Sequence, residues 1–311
     1  MSDRQANPYV FVVGCPRSGT TLLQRMLDNH PELVVANDTH FITRAAKKEL
    51  RKSTDPELTS ELIDKVRNYH RFQRMGLSDS DVMQAAQGVR RYSEFVSGLY
   101  HLRAEKVKKS LSGEKTPDYC RKVPQLNALF PNAKFVHIIR DGRDTALSAL
   151  KWATKGKGPG RWELWGKDPW ACCALWWCWQ AGSGVREGRK LLVNRYFEVQ
   201  YEALVANPTG NLTALAGYLD ISDSKEMSRY FEGKTRNNPN RSAKAAWLPP
   251  TPGLRNWRET VGQEDLAVFE AIAGELLQNL NYELSGAELT QAGMERVAQA
   301  RAWWRVQPMS A

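Results

Sequence analysis

The stretch GCPRSGTT, Gly14 to Thr21, decides how this sequence is read. An apolar run, PYVFVV, precedes it, and a helix-like run, LLQRMLDNH, follows. A strand, a glycine-framed turn and a helix are the frame of a phosphate-binding loop. Gly14, Gly19 and Thr21 keep the spacing of G-x-x-x-x-G-K-[ST], but Thr20 stands where the lysine belongs. Such a loop still binds an anion. Its successive N–H groups form a nest, and the helix beginning near Thr20 adds the positive end of its dipole. Thr20 and Thr21 add hydroxyls, and Arg17 adds a forked cation.

Outward from the loop, strands and helices alternate. HPELVV predicts a turn and a short strand ending near Ala36, and KFVHII predicts a strand over Lys134–Ile139. LSGEKTP reads as a strand tip and turn, and NRYFEVQYEAL as a strand leading into a helix. Asp168-Pro169 and Asn207-Pro208 are cap-and-proline helix starts. The order implies an α/β fold: a P-loop-like three-layer arrangement, with a mostly parallel central sheet flanked by helices. Ligands of such sheets bind at the carboxyl ends of the strands. GCPRSGTT, NDTH, GEKTP, RDGRD and the Tyr201 region all follow predicted strands, so one sheet gathers them on one rim.

FVHIIRDGRDTALS holds a second anion site. Arg140 ends the strand and Ser148 lies on the next helix, so together they grip an anion separate from the first. A metal-binding strand would end in an acid instead. Asp141 is read as orienting Arg140 or capping the turn, and Asp144 as the helix cap.

Composition is that of a globular chain of 311 residues with a net charge of +10. The basic residues are dispersed, which suits steering of an anionic ligand better than a nucleic-acid tail. Five cysteines, two of them adjacent, do not make a disulfide framework. The N-terminus lacks a signal pattern, and no apolar run approaches the length of a membrane span. A soluble, cytoplasmic protein is expected.

Two segments carry a family resemblance. GCPRSGTTLLQRMLDNHPEL resembles the 5′-phosphosulfate loop of sulfotransferases that use 3′-phosphoadenosine-5′-phosphosulfate (PAPS), and FPNAKFVHIIRDGRDTALSAL resembles their 3′-phosphate motif. GEKTP and YEALVANP resemble segments of bacterial and Golgi-type members, including tyrosylprotein sulfotransferases. The resemblance spans roughly residues 9 to 220. It implies that Arg17, Ser18, Gly19, Thr20 and Thr21 hold the 5′-phosphosulfate and that Arg140 and Ser148 hold the 3′-phosphate. Tyr201 matches a nucleotide-side position, and Lys115 a lysine near the transferring group. GLRNWR loosely resembles a C-terminal cofactor segment, which adds Arg255. A sulfuryl group carries less charge than a phosphoryl group, so these fixed cations and N–H groups suffice without a metal. The implied reaction moves the sulfuryl group from PAPS to an acceptor hydroxyl and releases 3′-phosphoadenosine-5′-phosphate (PAP).

Transfer to a hydroxyl benefits from a general base. Asp38 is the first candidate, matching a carboxylate position of the family, and His40 is the second. His137 reads as packed within its strand, and Glu114 as a brace for Lys115 or Arg17. Trp176, Trp177 and Trp179 read as core, whereas Trp162, Trp165 and Trp170 are candidates for an acceptor wall. The expected layout is one domain over 1–311, with a helical acceptor-site insertion over about 41–110 and a C-terminal helical extension over about 284–311. The acceptor is a small-molecule, glycan or peptide hydroxyl. Two other readings stay open: an ATP-dependent small-molecule kinase and a non-catalytic polyanion- or glycan-binding protein.

Overall fold

The computed structural model describes residues 7–153, 156–232 and 255–307. Five strands form one parallel sheet: β1 (Val10–Val13), β2 (Leu33–Asn37), β3 (Leu111–Lys115), β4 (Lys134–Ile139) and β5 (Tyr196–Gln200), in the order β2-β3-β1-β4-β5. The expected α/β fold with a parallel sheet is therefore observed. The glycine loop leaves β1, the middle strand, where the order reverses from leftward to rightward winding. That reversal opens the crevice in which such sheets take ligands.

Alternation along β1 explains the layers. Phe11 and Val13 face one side, with Phe41, Phe95, Tyr100 and Phe135. Val10 and Val12 face the other, with Leu23, Met26, Leu27 and Leu215. All four residues of β1 are wholly buried, as a strand covered on both faces must be. A third cluster packs the helices Gly142–Trp152, Pro169–Trp177 and Gln263–Asn279 together through Trp177, Phe269 and Leu277.

LSGEK is more than a strand tip. It is a complete strand, buried at every position and paired on both sides. Between β2 and β3 the chain forms short helices and one longer one, Tyr92–Lys106. The helix Pro169–Trp177 starts on its Asp168 cap, which accepts from the Ala171 N–H at 3.0 Å. It runs into a π-turn, Cys178–Gly182, before resuming as Ser183–Gly188. Such a turn shifts the side-chain register and is common at functional sites. The last helix, Gln291–Arg305, brings Trp303 and Trp304 against Trp162. Residues 233–254, most of the polar loop before Arg255, lie outside the described residues.

Candidate active site

Because all five strands are parallel, their carboxyl ends share one edge. Asp38 follows β2, Lys115 ends β3, the glycine loop follows β1, Arg140 follows β4 and Tyr201 follows β5. Each segment singled out in the sequence reaches this edge.

The loop is built for an anion. Helix Thr20–Asp28 has no side-chain cap and no acid in its first turn, so its N-terminal field is not cancelled. Gly19 has φ +90°, and a Cβ there would run into the Tyr201 ring. Tyr201 thus packs against the loop backbone, which only glycine permits. Arg17 takes φ +81° and donates its Nε to Ser148 Oγ at 3.0 Å. The two motifs expected to serve separate anions therefore touch.

At the other end, Arg140 lies over the Tyr201 ring at 4.5 Å and donates to Asp144 at 3.3 Å. Asp144 is thus the partner that orients Arg140, and it also accepts the Trp257 N–H at 3.0 Å. The helix cap is Asp141, which accepts from the Arg143 N–H at 2.9 Å. Of the two roles weighed for Asp141, capping the turn is the one observed; Asp144 is not the helix cap it was expected to be. Both carboxylates lie at a helix start, and only the neighbouring folds decide which one turns inward. Gly142 between them has no room for a side chain: a Cβ would lie 2.6 Å from the Trp177 ring.

Burial lowers the pKa of Arg17, and the charges of Arg255 and Arg140 lower it further. Burial followed by Arg140 does the same to Arg255. Three guanidiniums thus crowd together. Ser18 Oγ, Arg140 Nε and Arg255 Nε are buried without partners among the described residues. Buried polar atoms are seldom left so. An oxyanion laid across the rim would satisfy them, and the donor set fits a ligand with phosphate or sulfate groups at both ends.

Asp38 and His40 sit in the turn after β2, with φ +64° and +58°. A non-glycine residue in this region costs about 1–2 kcal/mol. Arg17, Asp38 and His40 all bear that strain, and all three lie on this rim. Glu114 holds the turn in place. It is fully buried and accepts the Thr39 N–H at 3.0 Å, the Tyr100 hydroxyl at 2.8 Å and the Thr116 hydroxyl. Its hydrogen bonds thus brace the Asp38–His40 turn, not Arg17. Lys115 is buried beside it. Desolvation pulls its pKa down, while Asp38 and Glu114 push it up.

His40 Nε2 lies 3.1 Å from Asp38 Oδ1. The other Asp38 oxygen takes Arg71 at 3.3 Å and Arg74 at 3.4 Å, and Arg74 also binds the Asp38 carbonyl at 2.9 Å. Burial would raise the Asp38 pKa. The His40 hydrogen bond and the Lys115, His40 and Arg71 charges outweigh it and hold the carboxyl well below the usual range.

Beside this pair opens a cleft of about 340 Å³. Its indoles are Trp152, Trp162, Trp176 and Trp179. Trp162 lines it as expected, but Trp165 and Trp170 pack into the helical clusters instead. Trp179 and Gln180 arrive on the π-turn. Gln180 accepts from Arg121 at 3.0 Å and donates to Asp118 at 3.1 Å. Arg44, Arg71, Asp118, Arg121 and Gln180 were missed in the sequence, since no spacing signals residues brought together by a π-turn and separate helices.

Residues 8–225 match the profile that describes the sulfotransferase family. The chain belongs to that family. A Caenorhabditis elegans protein-tyrosine sulfotransferase A is 25% identical over 291 residues, which are 90% of this chain and 68% of that protein. Human protein-tyrosine sulfotransferase 1 is 32% identical over 152 residues, 46% of this chain and 34% of its own length. The sulfotransferase domain of the Synechococcus PCC 7002 olefin synthase superposes with a TM-score of 0.57 at 20% identity, covering 89% of this chain and 95% of that domain, a likeness of fold. The PAPS-dependent sulfotransferase expected from the motifs stands on this membership. The cytoplasmic location does not: the curated relatives are protein-tyrosine sulfotransferases, the Golgi-type members named above. The five cysteines are free, and burial pushes Cys120, Cys172 and Cys178 up to about 12. Burial alone accounts for such inert thiols, so they carry no information on compartment. Among the described residues no helix is long and apolar enough to cross a membrane.

Proposed function

We propose that this sulfotransferase moves the sulfuryl group of PAPS to an acceptor hydroxyl, with His40 as the general base and Asp38 as its orienting partner. The observation that carries the reading is the rim of crowded guanidiniums, where Ser18 Oγ, Arg140 Nε and Arg255 Nε are buried without partners among the described residues. The glycine loop with Arg17, Ser18, Thr20 and Thr21 holds the 5′-phosphosulfate. Arg140, Ser148, Tyr201 and Arg255 hold the nucleoside end with its 3′-phosphate. Lys115 stands at the transferring group.

The acceptor oxygen attacks sulfur in line, and the bond from sulfur to the 5′-phosphate oxygen breaks. The electron pair leaves on the phosphate of PAP, where Arg17, Lys115 and the loop N–H groups stabilise it. The acceptor proton passes to His40. Asp38 is a poor proton acceptor, because the hydrogen bond from His40 and the charges of Arg71 and Arg74 favour its ionised form. It is well suited to accept the His40 Nε2–H. That leaves Nδ1, which has no hydrogen bond among the described residues, as the acceptor nitrogen. The fixed cations do the work a metal does in phosphoryl transfer, so the reading requires no divalent ion. Acceptors of small-molecule, glycan or peptide type fit the cleft.

Calorimetry with PAP and with ATP, each with magnesium and with EDTA, tests the reading. PAP is expected to bind equally in both buffers. Binding of ATP–magnesium without PAP binding would sink it. His40→Gln is expected to keep PAP affinity and lose about 10²–10⁴ in turnover. Asp38 stays ionised down to acid pH, so it adds no rising limb to the rate profile in the ordinary carboxylate range. A limb near pH 4 that disappears in Asp38→Asn would return the base role to Asp38.

A further inference from the structure

The geometry points to an acceptor that is a small hydroxylated aromatic ring carrying a carboxylate, read by Arg161 and Arg121 in the tryptophan-lined cleft; this rests on the sulfuryl-transfer reading above. The cleft volume of about 340 Å³ falls at the small-molecule end of the range for binding sites. Its indoles offer flat apolar faces, the surface on which a planar ring packs. One wall is already a stack: the Arg121 guanidinium lies 3.8 Å above the Trp179 ring and is fixed through Nε to Gln180.

Charge supplies the second half of the argument. Four guanidiniums line the cleft, from Arg44, Arg71, Arg121 and Arg161, against the two carboxylates of Asp38 and Asp118. Both carboxylates are engaged already. Asp38 is held by Arg71 and Arg74, and Asp118 by Arg44, Arg121 and Gln180. Arg161 comes from the turn Gly158–Arg161 with its Nε on the Gly156 carbonyl at 2.9 Å, and no carboxylate pairs with it among the described residues. The wall thus holds a guanidinium whose Nη groups meet no partner among the described residues. A carboxylate on the acceptor takes that fork in a bidentate, charge-assisted pair. A neutral ring leaves the positive excess unbalanced, and a cationic ring adds to it.

The test uses the full chain, PAPS and four acceptors: 4-hydroxyphenylacetate, 4-ethylphenol, tyramine and a tyrosine peptide with acidic flanks. The acid is expected to exceed the others in kcat/KM by about tenfold, the order of one hydrogen-bonded charge contact. Arg161→Gln should erase most of the ratio between the acid and 4-ethylphenol, chiefly through KM, and Arg161→Lys should restore part of it. Equal or better turnover of the phenol, the amine or the peptide overturns the inference. So does an unchanged ratio in Arg161→Gln. Should no acceptor turn over, binding of 4-hydroxyphenylacetate to the PAP-loaded protein decides, and its absence overturns the proposal. PAP calorimetry on the same sample separates the two levels. PAP binding without preference for the acid removes only this inference, whereas failure to bind PAP removes the sulfuryl-transfer reading as well.

Discussion

Arg140 and Arg143 stand three residues apart in one motif, and the fold treats them in opposite ways. Arg143 is almost wholly buried and saturated. It pairs with Asp141 at 2.7 Å and Glu270 at 2.6 Å, and its guanidinium stacks 3.7 Å from the Trp257 ring. Among the described residues Arg140 has one carboxylate at 3.3 Å and a buried Nε with no partner. A saturated arginine holds structure together, and an unsaturated one waits for a ligand. The contrast teaches that charge and burial alone do not separate a binding residue from a structural one; the count of satisfied donors does.

The sharpest way to break this comparison is Arg143→Ala. It leaves Asp141 and Glu270 buried without their cation, so a loss of about 3–5 kcal/mol in urea-unfolding stability is expected. A loss below 1 kcal/mol would place Arg143 among the ligand-binding cations. Arg140→Ala is expected to spare the fold and weaken PAP by about 1.5–3 kcal/mol in calorimetry, the worth of hydrogen bonds to a charged group. The same variant should bind adenosine-5′-phosphosulfate nearly as the parent does; equal losses for both ligands would remove Arg140 from the 3′-phosphate.

Ser148→Ala should cost PAP about 1.5 kcal/mol, the low end for one hydrogen bond to a charged group. It also frees Arg17 Nε, so a gain in PAP affinity would mean that the Arg17–Ser148 contact competes with the ligand.

The last test concerns a residue with no part in the site. Burial, aided by the Arg189 charge, pulls the buried His137 down to about 3. The unfolded chain takes up its proton near pH 6.5, well before the folded one. The stability that His137 lends is therefore complete above about pH 6.5 and drains away as the pH falls toward 3, at no more than about 1.4 kcal/mol per pH unit. His137→Gln should flatten the stability profile between pH 6.5 and 5, and an unaltered slope would contradict the assignment.

Much of this was legible in the sequence because it is local. The glycine loop, the strand KFVHII and the proline-marked helix starts at Asp168 and Asn207 each announce themselves within a few residues. β3 was half-hidden, since Ser112, Gly113 and Glu114 are poor strand formers that only pairing on both sides makes extended. Asp141 as a cap was one of two roles read, but the choice between them and the role of Asp144 could not be, because Glu270 and Trp257, more than a hundred residues on, settle which carboxylate serves which arginine. The cleft was hidden for a different reason. Its indoles and guanidiniums come from separate turns and helices, and a π-turn sets the register of Trp179.

That clustering of indoles has an optical consequence. Trp162 lies 5.5 Å from both Trp303 and Trp304 and 5.7 Å from Trp179, and Trp152 lies 6.3 Å from Trp176. Rings this close exchange excitation energy, so the emission of the protein reports on the environment of a few of its eleven tryptophans more than the rest. A molecule laid against Trp162 or Trp179 changes that light directly. The enzyme carries an unlabelled fluorescent gauge of its own acceptor cleft, readable in the cuvette before any product is made.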